Sequence, residues 1–106
     1  MTMRKTIGVL TAMSVEYSQV AAMMHDKETV EKGPQTFLVG TIGKNKVVLL
    51  QCGIGKTNAA MGVTSLIMSF SPDYVISTGV AGGIDARLNV MDVVVGSQVC
   101  YHDVFC

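Results

Sequence analysis

The chain has 106 residues, zero formal net charge and 49% hydrophobic residues, which is enough for one domain and too few for two. Its lysines and arginines are scattered and no apolar run reaches the length of a membrane span, so we expect neither nucleic-acid nor membrane partners. The start lacks the apolar region and cleavage site of a signal peptide, and the three cysteines are unpatterned, which is typical of a cytoplasmic protein.

The first half of the chain predicts four elements in the order strand, helix, strand, strand. Their ranges are Thr6–Thr11, residues 14 to about 25, residues 36–42 and residues 46–51. Ser14 is a good N-cap for the helix, whose far end would place His25 in solvent. A Gly-Pro pair at 33–34 breaks the chain, and a Gly-Lys-Asn turn at 43–45 joins the two later strands as a hairpin.

The second half predicts a long helix between the hairpin and further extended segments. The helix is expected over Lys56–Phe70, a strand over residues 74–78 and a last extended run over residues 93–101. A Gly-Ile-Gly sequence at 53–55 opens the helix, and Ser71 before a proline ends it. Strands that alternate with helices predict an α/β layered sheet, here with an inserted hairpin.

Three glycine-rich or polar turns, at residues 12–16, 52–56 and 79–83, directly follow predicted strands. If those strands are parallel, all three turns lie along the carboxyl edge of the sheet. That edge is where open α/β sheets bind small ligands. We therefore expect a small-molecule site there.

Two of these turns have alternative interpretations. The sequence Gly-Ile-Gly-Lys-Thr at 53–57 suggests a phosphate-binding loop, but the Walker pattern needs a glycine where this chain has Leu50. A glycine-permitted strand-to-helix turn is the simpler interpretation. The sequence Thr-Gly-Val-Ala-Gly-Gly at 78–83 is equally compatible with close approach to a flat ligand such as a purine and with a sharp turn that demands positive φ.

Glu16 is the candidate catalytic residue, because it lies in the first turn of the first helix, close to the carboxyl end of the first strand. The helix dipole favours an acid there for stability alone, and it would also keep the carboxylate ionised, as a water-activating base requires. A capping box with Ser14 would need an acid at the position of Tyr17. On the residues alone, the purely structural interpretation is favoured.

A metal or nucleotide cofactor is not expected. Cys100, His102, Asp103 and Cys106 lie close together in the sequence, but structural zinc needs a better-spaced set of four ligands. No Gly-x-Gly-x-x-Gly sequence follows any predicted strand, so the dinucleotide-binding fingerprint is missing too.

Taken together, four segments resemble the nucleoside phosphorylase and nucleosidase superfamily, especially its 5′-methylthioadenosine/S-adenosylhomocysteine nucleosidases. The segments are residues 7–16, 52–56 and 73–83, and residues 91–95 with Tyr-His-Asp at 101–103. The resemblance implies a three-layer αβα fold with a mixed central sheet. Residues 1–106 would then be the N-terminal portion of a single domain, truncated after about the first half, which agrees with the high apolar content.

The resemblance also implies an activity and the residues that carry it. The full-length protein would be a homodimer that hydrolyses the N-glycosidic bond of methylthioadenosine or S-adenosylhomocysteine without a cofactor, releasing adenine. Glu16 would activate the attacking water, in a pocket shared with the bend at residues 79–83. The implied substrate contacts are Met13 and Ile54 at the sugar and its 5′ substituent, and Val80, Ala81 and Gly82 along the ribose and base.

Val80 departs from the serine or threonine that relatives often carry there, so the ribose-side contacts are expected to differ from theirs. A phosphate-dependent nucleoside phosphorylase, a futalosine hydrolase and a non-catalytic nucleoside-binding or scaffold domain remain as alternatives. Hydrolysis is favoured, because a carboxylate after the first strand would repel phosphate. The family's leaving-group acid and ribose-binding glutamate come from its second half, so these 106 residues alone are expected to be inactive.

Overall fold

A computed structural model describes residues 4–100 of the chain. These residues form five strands and two helices. In chain order they are β1 (Thr6–Thr11), α1 (Ser14–Met23), β2 (His25–Lys32), β3 (Gln35–Ile42), β4 (Asn45–Gln51), α2 (Lys56–Phe70) and β5 (Tyr74–Ser77).

The strands form one mixed sheet in the order β2-β3-β4-β1-β5. β1 lies at the junction, parallel to both β4 and β5. β3 runs antiparallel to β2 and to β4, which confirms the predicted hairpin. Because β1, β4 and β5 are parallel, their carboxyl ends share one edge of the sheet. The expected gathering of three turns at that edge is confirmed.

Each face of the sheet carries one helix and one apolar cluster. Side chains alternate between the two faces along a strand, so β1 and β4 contribute to both clusters. The cluster that packs against α2 contains Leu10, Phe37, Val48, Leu50 and Leu66. The cluster that packs against α1 contains Val9, Met24, Val47 and Leu49. Full burial of a side chain of this size stabilises the fold by roughly 1.5–3 kcal/mol. The expected three-layer αβα arrangement is thus confirmed.

The first helix is shorter than predicted, and a strand follows it where none was expected. α1 ends at Met23, and His25 begins β2 instead of ending a helix. Seven of the eight residues of β2 are exposed and five are charged, so it lacks the apolar alternation that identifies strands in a sequence. It pairs through its main chain with β3 at the edge of the sheet, with a bulge near Asp26, whose φ is 53°. Charged side chains are common on such edges because they discourage further pairing.

The valine-rich run at residues 93–101 was expected to be extended, and over its described part, residues 93–100, it forms no strand. Its valines lie exposed and outside the sheet. Valine favours strands only where a neighbouring strand and a buried face receive it. Among residues 4–100, neither helix is both long and apolar enough to cross a membrane.

Candidate active site at the carboxyl edge

The turn after β4 depends on two glycines in the left-handed region. Gly53 has a φ of 91° and Gly55 a φ of 97°, which side chains rarely tolerate. Gly55 is also the N-cap of α2. Leu50, which would have to be a glycine in a Walker loop, is instead buried in β4. The simpler interpretation, a glycine-permitted strand-to-helix turn, agrees with this geometry.

Glu16 itself stabilises the start of α1. The N-cap is Met13, with extended backbone at φ −127° and ψ 159°, and Ser14 is already the first helical residue. The Glu16 Oε1 accepts hydrogen bonds from the backbone N–H groups of Ala12 and Met13, both at 3.1 Å. This is the acid half of a capping box, so the predictions that Ser14 is the cap and that no capping box forms are wrong. The cap lies one residue earlier, which makes Glu16 the third helical residue.

The second carboxylate oxygen of Glu16 lies against the bend that follows β5. A Cβ atom built on Gly79 would be only 3.3 Å from Glu16 Oε2. The bend is fixed to β1 by a 3.0 Å hydrogen bond from the Thr78 N–H to the carbonyl oxygen of Leu10. The structure therefore brings Glu16 and the bend into one pocket, as expected from the sequence.

That pocket is a partly open cavity of about 280 Å³ between α1 and the bend, close to the lower end of the usual range for small-molecule sites. Its lining residues are Met13, Val15, Glu16, Gln19, Val20, Thr78, Gly79 and Val80. The polar side chains among these residues are the carboxylate, an amide and a hydroxyl, and none is basic. The cavity thus combines an apolar wall with one negative charge.

Three of the six predicted site residues line this cavity, namely Met13, Glu16 and Val80. Ile54 does not line it, and its side chain is 72% exposed in the turn after β4. Ala81 and Gly82 follow Val80 on the exposed bend but lie outside the lining.

The lining also includes residues that were not among the predicted contacts. Gln19 and Val20 lie one helical turn beyond Glu16, and helical spacing alone would have placed them on the same face. Thr78 and Gly79 directly precede Val80 and were visible as part of the glycine-rich stretch. Helical periodicity, counted from Glu16, could therefore have identified Gln19 and Val20 as lining residues.

Cys52 shows that the end of β4 belongs to the same electrostatic environment. Its N–H donates to the carbonyl oxygen of Thr11 at 2.8 Å, which ties the end of β4 to the end of β1. Burial raises the pKa of the Cys52 thiol, and the negative charge of Glu16 raises this pKa further, against a backbone hydrogen bond that lowers it. The charge of Glu16 therefore acts on the Cys52 thiol at the end of β4.

In the part of the chain that the structure describes, no three His, Cys, Asp or Glu side chains are grouped as metal ligands would be. Of the four residues that could have been metal ligands, only Cys100 lies among the described residues, where it is a free, exposed thiol. His102, Asp103 and Cys106 lie outside the described residues.

Comparison with known proteins points to one family. Residues 6–106 match the model of the family described as the phosphorylase superfamily. A 5′-methylthioadenosine/S-adenosylhomocysteine nucleosidase of Chromohalobacter salexigens is 44% identical over 102 residues, which are 96% of this chain and 43% of the relative. A nucleosidase of the same name from Pseudoalteromonas translucida is 44% identical over 98 residues, which are 92% of this chain and 42% of the relative.

Solved structures with the same fold include ligand complexes. The 5′-methylthioadenosine/S-adenosylhomocysteine nucleosidase of Colwellia psychrerythraea, in complex with adenine, aligns with a TM-score of 0.79 and 38% identity. The alignment covers 83% of this chain and 36% of that structure's chain. The Neisseria meningitidis enzyme, in complex with methylthio-immucillin-A, aligns with a TM-score of 0.76 and 36% identity over 80% of this chain and 37% of its own. The chain thus spans about two-fifths of the length of the relatives that it matches.

Proposed function

Because this chain belongs to the phosphorylase superfamily, we propose that the natural full-length protein carrying residues 1–106 hydrolyses the N-glycosidic bond of an adenine nucleoside. The observation that carries the proposal is the position of Glu16, whose carboxylate lies at the carboxyl edge of the sheet against the bend after β5. A carboxylate in that place can take a proton from a water molecule that enters the cavity.

The proposed chemistry divides the two oxygens of Glu16. Oε1 accepts from two backbone N–H groups, which hold the side chain in place, and Oε2 is left to accept the proton of water. The water oxygen bonds to the anomeric carbon of the sugar as the carbon–nitrogen bond to the purine breaks, through a sugar with oxocarbenium character. The electron pair of the broken bond leaves with the purine, which needs a proton from an acid. The lining holds no second acid among the described residues, so this acid is assigned to the rest of the full-length protein.

The proposed substrates are methylthioadenosine and S-adenosylhomocysteine. Relatives that cover nearly all of this chain carry these substrates in their names, and a relative with the same fold is solved with adenine. Met13 and Ile54 are proposed to contact the sugar and its 5′ substituent. The bend at residues 80–82, with Val80, Ala81 and Gly82, is proposed to lie along the ribose and the base.

Hydrolysis, rather than phosphorolysis, is supported by the charge of the cavity. Glu16 places a negative charge in the cavity, and no lysine or arginine is among the lining residues. Phosphate would be repelled by this carboxylate and would find no cation there to bind it. Adenine release by the full-length protein is therefore expected to be the same with and without inorganic phosphate. A rate that depends on phosphate would show a phosphorylase instead.

The direct test is Glu16→Gln in the full-length protein. Glutamine keeps the size of the side chain and an oxygen for the two N–H groups, but it cannot act as a base. We expect kcat to fall by about 10²-fold or more, within the range that a general base contributes. Glu28→Gln, an equivalent change on the exposed strand β2, is the matched control and should retain activity. Near-normal hydrolysis by Glu16→Gln would leave this residue with only its capping role.

The proposal includes a cytoplasmic homodimer. Met61 and Met68, which are spaced two helical turns apart on α2, are both largely exposed, and exposed apolar surface of this kind often marks an interface. Both described cysteines are free, as is usual in a reducing compartment. Light scattering of the full-length protein should give the mass of two chains, and a monomer would contradict the proposal. Cell fractionation should find the full-length protein in the cytoplasmic fraction, and recovery elsewhere would contradict the proposed location.

A further inference from the structure

We propose that Gly79 is a positioning residue for the catalytic base, because its missing side chain is what admits Glu16 Oε2 to the cavity. This inference rests on the proposed function and adds a second residue to the site.

The contact between the two residues is tight. A Cβ atom on Gly79 would lie 3.3 Å from Oε2, 3.6 Å from Cδ and 3.8 Å from Oε1 of Glu16, so the three nearest atoms are all in one carboxylate. The shortest of these distances is tighter than most real Cβ contacts. A side chain at this position would therefore require Glu16 to move.

The backbone at position 79 does not itself require glycine. Gly33, Gly43, Gly53 and Gly55 have positive φ, and Gly79 is not among the glycines with that conformation. Its backbone is therefore not in the left-handed region that favours glycine. The reason for glycine here is then the close approach of the carboxylate.

Glu16 has little freedom to yield. Its Oε1 accepts from the N–H groups of Ala12 and Met13 at 3.1 Å each, and both groups belong to the start of α1. Moving Oε2 away from position 79 by a few tenths of an ångström tilts the carboxylate against these two bonds. Catalytic rates are sensitive to displacements well below 1 Å when the moving atom takes part in the reaction.

The test is Gly79→Ala in the full-length protein, with Gly96→Ala as the matched control. Gly96 also lacks a positive φ, and a Cβ there would meet its nearest neighbours only at 4.0 Å. We expect Gly79→Ala to lower kcat by about tenfold or more with little change in KM, because base placement affects the chemical step. Gly96→Ala should leave both constants within about twofold. Equal behaviour of the two variants would overturn the inference.

A double-variant cycle with Glu16→Gln separates positioning from a general effect of the bend. Once the base is gone, adding Gly79→Ala should not reduce the residual rate further, because the two changes remove the same contribution. An equal loss in both backgrounds would contradict the inference. Full activity of Glu16→Gln would instead reject the proposed function, so the two failures can be told apart.

If Gly79→Ala unfolds the protein, Glu16→Asp provides the second test. Aspartate is one methylene shorter, which withdraws the carboxylate from position 79. The double variant Glu16→Asp with Gly79→Ala should then regain the thermal unfolding midpoint of Glu16→Asp alone. A double variant that still fails to fold would show that the contact with Glu16 is not the reason for glycine.

Discussion

The thiol of Cys52 and the carboxylate of Glu16 are close enough for their charges to interact, and this interaction can be measured without substrate. Burial is the main reason that the pKa of the Cys52 thiol is raised, and the charge of Glu16 raises it further because a second negative charge disfavours the thiolate. Replacing Glu16 by a neutral side chain removes only the second cause. The pKa of the thiol should therefore fall towards its ordinary value without reaching it.

We accordingly predict that Glu16→Gln speeds the alkylation of Cys52 by iodoacetamide at a fixed, mildly alkaline pH. More thiolate is present once the repelling charge is gone, and the gain should be less than about tenfold because burial remains. Peptide mass spectrometry across a pH series measures the rate, with the exposed Cys100 as internal reference. Glu28→Gln should change neither thiol. A slower reaction of Cys52 in Glu16→Gln would have the wrong sign for a carboxylate neighbour.

At the residue scale, the sequence predicted that Glu16 and the bend after β5 share a cavity, but it did not predict their individual contacts. Glu16 was assigned as the base through the family resemblance, because on the residues alone an acid in a first helical turn is favoured for structural reasons. The structure adds one such reason, the hydrogen bond from the Met13 N–H to Glu16. The tight contact with Gly79 could not be predicted, because it depends on a distance between segments more than sixty residues apart. Ile54, which the family resemblance implies as a contact to the sugar and its 5′ substituent, does not line the cavity that contains Glu16.

At the scale of elements, helix α2 approaches the sheet through positions without side chains. A Cβ on Gly8 of β1 would lie 2.6 Å from Cδ2 of Leu66, closer than real Cβ atoms come to a neighbour. Leu66 is fully buried in the cluster on this face, with 0% exposure. The Leu66 side chain packs here against the backbone of β1, and a side chain at position 8 requires Leu66 to move.

We predict that Gly8→Ala destabilises the protein by about 1–3 kcal/mol, the usual cost of overfilling a packed core. Thermal or urea unfolding of the full-length protein measures the loss. Leu66→Ala should also destabilise, by roughly 2–5 kcal/mol, because it leaves a cavity. In the double variant the new methyl group enters that cavity, so the combined loss should be smaller than the sum of the two. Strict additivity would show that Gly8 and Leu66 do not compete for the same space.

Elements that bury apolar side chains were predictable, and those that only pair backbones were not. β1, β4 and α2 were placed to within a residue because their apolar residues face the two clusters. β2 was missed because its charged residues gain no burial and its stability comes from main-chain bonds to β3. The prediction of an extended run after residue 92 was wrong for the opposite reason, since this run has strand-forming residues but no strand beside it in the described sheet.

At the scale of the molecule, apolar surface is concentrated on the side of β5. This strand bonds to β1 as its neighbour in the described sheet, and all four of its residues are exposed. The segment that follows, residues 79–100, is also exposed throughout and contains several isoleucine, valine and methionine side chains. The bend beside Glu16 thus lies next to an apolar surface that the described residues leave exposed.

The isolated 106-residue chain is predicted to be inactive or nearly so, releasing adenine from methylthioadenosine at least about 10²-fold more slowly than the full-length protein. Its cavity offers the carboxylate of Glu16, the proposed base, but no second acid among the lining residues. Protonation of a leaving group typically contributes about 10²–10⁴-fold. Chromatographic detection of adenine, with the full-length protein at equal concentration, measures the difference. Slower alkylation of Cys52 than of the exposed Cys100 first establishes that the carboxyl edge is formed in the isolated chain. Inactivity is then not explained by unfolding. Normal turnover by these residues would mean that a proton donor lies within them, and the assignment of the acid to the rest of the protein would be wrong.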